Sequence, residues 1–223
     1  MFNPTPHLPK QPFVYIVDSP SPSDLAAGYT IGMGLRDALR SIRIPHYYIL
    51  AVGQNELKVG LDSWLEYYVN QMRAIFPHTD PVPIIHLCMH GANTGIGLTD
   101  GTFVQWDSLR QLLAPHKRIK GCDPFVCMAS CNGIGATSMP HAFDGVFEWL
   151  IGNGGTVYQG DLTVAYLTFY NQLFWKGASV ENAVHAMRNA TGDYNFQYAL
   201  GENLRSMHFQ QLISTVPFPQ PVL

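Results

Sequence analysis

The chain has 223 residues, of which 47% are hydrophobic and 13% charged, with a formal net charge of −3. This length and apolar fraction fit one domain with a single sizeable core. The small negative charge speaks against a nucleic-acid partner, and no apolar run approaches the ~20 residues of a membrane span. The Pro-rich start, 1–11, has none of the apolar segment that a signal peptide needs, so we expect a cytoplasmic protein with reduced cysteines.

In the first half of the chain, short apolar runs alternate with amphipathic stretches. Short apolar runs between turn-forming residues predict buried strands, and apolar residues at helical spacing predict helices. Strands are predicted at 13–17, 47–52 and 84–89, helices at 24–43 and 55–76, and a small hairpin with an Asp-Gly turn at 94–104.

The second half continues the alternation with more helix. We predict strands at 125–129 and 156–159, and helices at 106–113, 141–151, 161–175 and 179–191. The tail after Phe209 is predicted to be irregular. The order βαβαβ followed by αβαβαα predicts an α/β fold, an open and mostly parallel sheet with helices on both faces.

The stretch FVCMASCNGIG, residues 125–135, places a cysteine at the tip of a buried strand. The apolar run stops at Ser130-Cys131-Asn132-Gly133, where small and turn-prone residues bend the chain. Cys131 fits two interpretations. It is either the last residue of a core strand or a nucleophile at the carboxyl edge of the sheet, where α/β proteins usually carry their chemistry.

The stretch IIHLCMHGANTGIG, residues 84–97, ends its strand on His90 and Gly91. If the two strands are adjacent and parallel, His90 and Cys131 meet at one edge of the sheet. An imidazole beside a thiol favours the nucleophilic thiolate and can later protonate a leaving amine. Gly91 lets the backbone bring an N–H towards the reacting carbonyl, so the N–H groups of Gly91 and Cys131 are predicted to form an oxyanion hole.

This combination of motifs resembles the caspase-like cysteine peptidases of clan CD. The caspase signature Gln-Ala-Cys-x-Gly is matched in part by Ala129-Ser130-Cys131-Asn132-Gly133. The chain is more similar to the CHAT branch, which includes relatives of separase and whose histidine strand often reads His-x-x-x-His-Gly, as at 86–91. The stretch VYQGDLTVAYLTFYNQLFWKGASVENAVHAMRNA, 157–190, also follows that branch's order of elements after the cysteine.

The resemblance implies a caspase-like three-layer sandwich over residues 12–192, preceded by an irregular segment at 1–11 and followed by a C-terminal extension at 193–223. It implies a cysteine endopeptidase that cleaves a protein or peptide substrate through an acyl-enzyme at Cys131. His90 is then the general base and acid, and no metal or organic cofactor is implied.

Separase-like relatives read the side chain next to the scissile bond with an aspartate that follows the strand after the cysteine strand. Asp161 matches that place, and a carboxylate there would favour Arg or Lys over an acidic residue. Asp18, at the end of the first strand, is the lesser candidate for substrate binding. We expect regulation from a separate protein partner or from ordering of the loops at 92–105 and 132–142.

Other interpretations stay open. His86, Cys88 and His90 alternate along one strand and, with Cys131, could hold zinc, although no Cys-x-x-Cys or spaced histidine pair accompanies them. His86 is more simply a hydrogen-bonded core or supporting residue, and three other cysteines are more simply buried apolar groups: Cys88, Cys122 and Cys127. The chain could also be a catalytically inactive, caspase-like binding or scaffold module.

Overall fold

A computed structural model describes residues 8–115, 124–142 and 146–215 of the chain. Within these residues one sheet runs through six strands in the order β2-β1-β3-β6-β7-β8, and the small β4–β5 hairpin extends β3. Neighbouring strands are parallel except that β8 runs antiparallel to β7. The strands are β1 (Lys10–Ser19), β2 (His46–Leu50), β3 (Asp80–Ala92), β4 (Gly95–Gly97), β5 (Phe103–Gln105), β6 (Phe125–Ala129), β7 (Trp149–Asn153) and β8 (Phe196–Leu200).

Helices cover both faces of the sheet. In the described residues the helices are α1 (Pro22–Ala27), α2 (Ile31–Ser41), α3 (Gln54–Val59), α4 (Leu65–Ile75), α5 (Trp106–Leu113), α6 (Gln159–Trp175), α7 (Val180–Thr191) and α8 (Gly201–Thr215). A π-helical turn, Gly60–Trp64, joins α3 to α4, and a 3₁₀ helix, Gly133–Ser138, follows β6. None of the helices that the structure describes is both long and apolar enough to cross a membrane.

Two separate cores lie on the two faces of the sheet, because successive side chains of a strand point to opposite sides. Helices α3, α4 and α5 pack on one face, against Leu87 and Met89 of β3. Helices α2, α6 and α7 pack on the other, against Ile84 and Cys88 of the same strand. The predicted α/β sandwich, a mostly parallel sheet between two helical layers, is confirmed.

Two predicted elements between β6 and α6 are wrong. Residues 141–151 were predicted as a helix, but Trp149–Asn153 form β7, and the predicted strand at 156–159 is a loop that leads into α6. The segment 146–151 is apolar except for Glu148, and it is too short for periodicity to distinguish a helix from a buried strand. Pairing of β7 with β6 and with β8 decides the outcome.

The remaining differences concern where elements end. The predicted helix at 24–43 is divided into α1 and α2 by Gly28, which adopts a left-handed conformation with φ of 73°. The tail is not irregular after Phe209, because α8 continues to Thr215. Strand β8 lies beyond residue 192, so the sheet continues into the segment predicted as an extension. Predictions at 1–7, at Cys122 and at 216–223 lie outside the described residues.

Helix α2 ends in a way that allows a test of backbone strain. Arg43 adopts φ of 57°, and the bonds from Arg43 N–H to Arg40 C=O and from Ile44 N–H to Leu39 C=O form a Schellman motif. Glycine suits this position best because a Cβ is unfavourable in the left-handed region. We expect Arg43→Gly to raise the free energy of unfolding by about 0.5–1 kcal/mol in chemical denaturation.

The matched control makes the reverse substitution, glycine to arginine, at the end of α7. Gly192 has φ of 72° and its N–H bonds Arg188 C=O, so Gly192→Arg should destabilise the protein by a similar amount. A loss of stability in Arg43→Gly would contradict the strain argument.

Candidate active site

The central strands β3 and β6 bring a histidine and a cysteine to the same edge of the sheet. Cys88 of β3 lies opposite Ala129 of β6 in the parallel register. His90 follows Cys88 by two residues, and Cys131 follows Ala129 by two residues. His90 is exposed and Cys131 is half-buried. Both side chains line one pocket of about 150 Å³ on the face covered by α2 and α6. We call this the dyad pocket.

Gly91 permits the close approach of the two strand ends. A Cβ at Gly91 would collide with the carbonyl oxygen of Cys131 and would lie 2.8 Å from the side chain of Ser130. Because backbone atoms cannot yield as a flexible side chain can, position 91 requires glycine. The backbones of Gly91 and Cys131 are therefore in close contact at the strand ends.

The turn after Cys131 is held against the end of β7. Asn132 adopts a left-handed conformation with φ of 52°, and its N–H donates to the carbonyl of Gly155 at 2.9 Å. A Cβ at Gly133 would lie 2.7 Å from that of Met128, so the turn also packs closely on β6. These contacts fix the direction in which Cys131 leaves the sheet.

The Cys131 thiol contacts the backbone of Val157, in the loop before α6. The Val157 N–H donates to Sγ at 3.5 Å, and the Val157 carbonyl lies 3.8 Å from Sγ in position to accept from the S–H. This loop was predicted as a strand. Since both contacts involve backbone atoms, no side-chain pattern in the sequence indicates them.

Asp18 is a buried carboxyl group in the wall of the dyad pocket. It accepts hydrogen bonds from the hydroxyls of Thr30 and Tyr48, the latter at 3.1 Å, and from the backbone N–H of Gly32. Burial raises the pKa of Asp18 above its usual value, and these hydrogen bonds oppose the shift. No Lys or Arg is among the described residues that line the pocket.

Asp161 lies elsewhere. It is half-buried in the first turn of α6, and the described lining of the dyad pocket includes its neighbours Gln159 and Leu162 but not Asp161 itself. Gln159 Nε2 donates to the carboxylate of Asp24 at 2.9 Å, which ties the start of α6 to α1 at the pocket rim. The structure thus brings Asp18 to the histidine and cysteine and leaves Asp161 outside.

The sequence analysis missed Thr30, although its signal was present. Thr30 is the N-cap of α2, accepting from Met33 N–H at 3.0 Å while its hydroxyl donates to Asp18. A threonine just before an amphipathic run is a typical start of a helix. The signal was lost because one continuous helix was predicted through this position.

His86 is a core residue, as its position within the strand indicated. It is fully buried, its Nδ1 shares a 2.7 Å hydrogen bond with the Tyr170 hydroxyl, and its ring meets that of Tyr166 edge-on at 4.5 Å. Burial lowers the pKa of His86 to about 3, so the ring is neutral at physiological pH.

The zinc interpretation has no geometric support. Across residues 8–115, 124–142 and 146–215, no three His, Cys, Asp or Glu side chains are grouped so that they could hold a metal ion. Cys88 and Cys127 are free and buried, and Cys131 is free and half-buried. Burial raises the pKa of both buried thiols, which therefore remain protonated.

A mostly parallel sheet between two helical layers is the architecture of a caspase-like α/β sandwich. Among solved structures, the chain is similar to the X-ray structure of a secreted C11 cysteine protease from Bacteroides thetaiotaomicron, iotapain. The two share 12% sequence identity with a TM-score of 0.56, and the match covers 88% of this chain and 68% of that chain. At this identity the likeness establishes the fold. No protein-family model and no curated protein matches the chain.

The buried carboxyl of Asp18 gives a prediction for stability. Its pKa in the folded protein is raised above the unfolded value near 3.8, so the folded protein holds this proton more tightly. Stability therefore falls as pH rises from about 4 through the folded pKa and stays lower above it. We expect Asp18→Asn to unfold at a higher temperature than wild type at pH 7, with the difference narrowing as pH approaches about 4.

Thermal unfolding of both proteins between pH 4 and pH 8 measures this difference. Asp161→Asn is the matched control, because it makes the same chemical change outside the pocket. If Asp18→Asn is the less stable protein at pH 7, the hydrogen bonds to the carboxylate outweigh its burial and the prediction is wrong.

Proposed function

We propose that this protein is a cysteine endopeptidase of the caspase-like clan, most similar to its CHAT branch, with Cys131 as nucleophile and His90 as general base and acid. The observation that carries the proposal is that His90 and Cys131 line one pocket at the ends of adjacent parallel strands. The fold shared with a C11 cysteine protease supports the same reaction class.

In the proposed reaction, His90 takes the proton of the Cys131 thiol, and the thiolate attacks the carbonyl carbon of the scissile peptide bond. The S–H must leave the Val157 carbonyl for this transfer, whereas the Val157 N–H stays in place as a donor to the thiolate. The protonated His90 then gives its proton to the leaving amine, and an acyl-enzyme forms at Cys131. Water, deprotonated by His90, attacks the thioester and releases the acid product and the free thiol.

The backbone N–H groups of Gly91 and Cys131 are the proposed oxyanion donors. The space that a Cβ at Gly91 would occupy lies against the carbonyl oxygen of Cys131, so the backbones of the two residues are in close contact at the strand ends. An N–H of this kind stabilises the tetrahedral oxyanion, commonly by ~3 kcal/mol. A larger residue at position 91 would displace both groups at once.

For the residue next to the scissile bond, we propose that the dyad pocket binds a basic side chain through Asp18. This carboxyl group is buried among neutral donors, and none of the described residues in the pocket wall supplies a positive charge. A buried carboxylate without a cation is unfavourable, and an Arg or Lys of the substrate would supply the missing charge. Asp161, which the sequence favoured for this role, lies outside the pocket.

The second candidate function is an inactive binding module, for which a protein partner would be the natural ligand. The exposed imidazole of His90 and the accessible thiol of Cys131 in one pocket favour the enzyme, because a scaffold has no need of both. Regulation by a protein partner remains part of the proposal for the enzyme. It would act through the loops at 92–105 and 132–142, which flank the pocket in sequence.

Substitution of the dyad tests the peptidase assignment. Cys131→Ala and His90→Ala should each lower kcat by a factor on the order of 10⁴, and the double variant should be no worse than either single one, because the two groups act as a unit. His185→Ala, which removes another exposed imidazole, on α7 and outside the pocket, is the control and should retain full activity. A peptide with a thiol-reactive warhead should modify Cys131 ahead of Cys88 and Cys127, as read by mass spectrometry. Substantial turnover by Cys131→Ala would exclude it as the nucleophile.

Specificity is tested by profiling a peptide library with wild type, Asp18→Asn and Asp161→Asn. Wild type should prefer Arg or Lys, and Asp18→Asn should reduce the kcat/KM ratio of Arg over norleucine substrates on the order of 100-fold, since a buried charge pair is lost. Asp161→Asn should leave this ratio within about 3-fold, as for a substitution outside the pocket. If Asp161→Asn abolishes the preference and Asp18→Asn does not, the roles of the two aspartates are reversed.

A further inference from the structure

A second concavity continues from the dyad pocket between the start of α2 and the start of α6. It has a volume of about 390 Å³ and shares Thr30, Ile31 and Gln159 with the dyad pocket. We call it the side groove. Its further wall is formed by Gly28, Tyr29, Met33, Gly34 and Asp37 on the α2 side and by Gly160 and Thr163 of α6.

The walls of the side groove suit an uncharged side chain. Tyr29 is 79% exposed and lines the groove together with the apolar residues Ile31 and Met33. Among the described residues that line the groove, Asp37 is acidic. Its carboxylate already accepts a hydrogen bond from Arg36 Nε at 2.8 Å. Because this charge is compensated, the groove offers apolar and aromatic contact rather than a site for a cation.

Gly34 is the feature that keeps the groove open. A glycine inside a helix costs roughly 0.5–1 kcal/mol relative to alanine, so it usually has a packing reason. Gly32, two residues earlier on α2, has such a reason, since a Cβ there would lie 2.5 Å from the carboxyl carbon of Asp18. Gly34 has no neighbouring heavy atom within 4 Å of where its Cβ would stand. A larger side chain would project into open space at the groove.

We propose that the side groove is a second substrate subsite, which takes an aromatic or long aliphatic side chain from a residue within two positions of the one read by the dyad pocket. The inference rests on the proposed peptidase function. An extended peptide advances about 3.3 Å per residue, so neighbouring side chains of one substrate can reach two concavities that share a wall. Together the two concavities select a protein segment with a basic residue beside a bulky apolar one.

Filling the groove tests this subsite. The substrates are hexapeptides with a fixed Arg at the cleavage site and either Phe or Ser at each of the two positions on either side. Wild type should prefer Phe to Ser by about 10-fold or more in kcat/KM at one or more of these positions, as expected for an apolar pocket. Gly34→Trp should reduce that ratio to within about 2-fold, because an indole occupies the subsite.

Two variants on the same helix serve as controls. Gly34→Ala improves the helix without filling the groove and should keep the wild-type ratio. Arg40→Trp places the same indole about 120° around the helix axis from position 34, outside the groove, and should also keep the wild-type ratio. If Gly34→Trp fails to fold, Gly160→Trp fills the groove from the opposite wall, where a Cβ also meets no heavy atom within 4 Å. An absent preference for Phe, or one that survives both tryptophans, would overturn the inference.

A binding measurement separates this inference from the proposed reaction. Fluorescence anisotropy of a labelled Arg-Phe hexapeptide, titrated with Cys131→Ala and with the Cys131→Ala, Gly34→Trp double variant, needs no turnover. Affinity that falls about 10-fold in the double variant supports the subsite even if wild type cleaves nothing, in which case only the peptidase proposal fails. Cleavage of the peptides with equal affinity for both variants supports the peptidase and rejects the subsite. If the peptides are neither cleaved nor bound, both proposals are rejected.

Discussion

The register between β3 and β6 is the constraint on which the site depends. Parallel strands place equivalent residues side by side, and Cys88 opposite Ala129 carries His90 and Cys131 to the same edge and the same face. A slip of one residue would turn one of the two side chains towards the opposite helical layer. Buried side chains on both faces hold this register, and Gly91 and Gly133 allow the strand ends to close on each other. The geometry of the dyad is thus a consequence of core packing.

The second constraint is the burial of Asp18 beside the start of α2. Its carboxyl group occupies the space that a side chain at position 32 would need, and Thr30 both caps the helix and donates to the carboxylate. An uncompensated carboxyl group in a protein interior lowers stability, so a fold optimised for stability alone would place an apolar residue here. Asp18 nevertheless lies in the wall that also contains His90 and Cys131, where a carboxyl group with a perturbed pKa is a candidate functional group.

The sequence predicted what depends on strong local patterns. The strand before Cys131 is an apolar run bounded by turn residues, so its type and its end were both readable. Strand β3 was readable as a strand, but it continues past His90 to Ala92 because its last residues pair with β4. Strand β7 was not readable, because Trp149–Asn153 is a short run whose strand character comes from pairing with β6 and β8. Which of the two aspartates, Asp18 or Asp161, lines the pocket was equally unpredictable from the sequence. It depends on how α2 and α6 pack over the sheet, which brings one carboxyl group into the pocket wall and leaves the other out.

Two histidines on the same face of β3 show how environment assigns roles to identical side chains. His86 is fully buried beneath the site, bonded to Tyr170, and burial lowers its pKa to about 3, so it stays neutral and structural. His90, four residues along the strand, is exposed in the dyad pocket, where solvent or a bound molecule can reach its ring. The same division holds for the thiols, since burial keeps Cys88 and Cys127 protonated while Cys131 alone of these three is accessible. Depth in the sheet therefore separates the groups that solvent or a ligand can reach from those enclosed in the core.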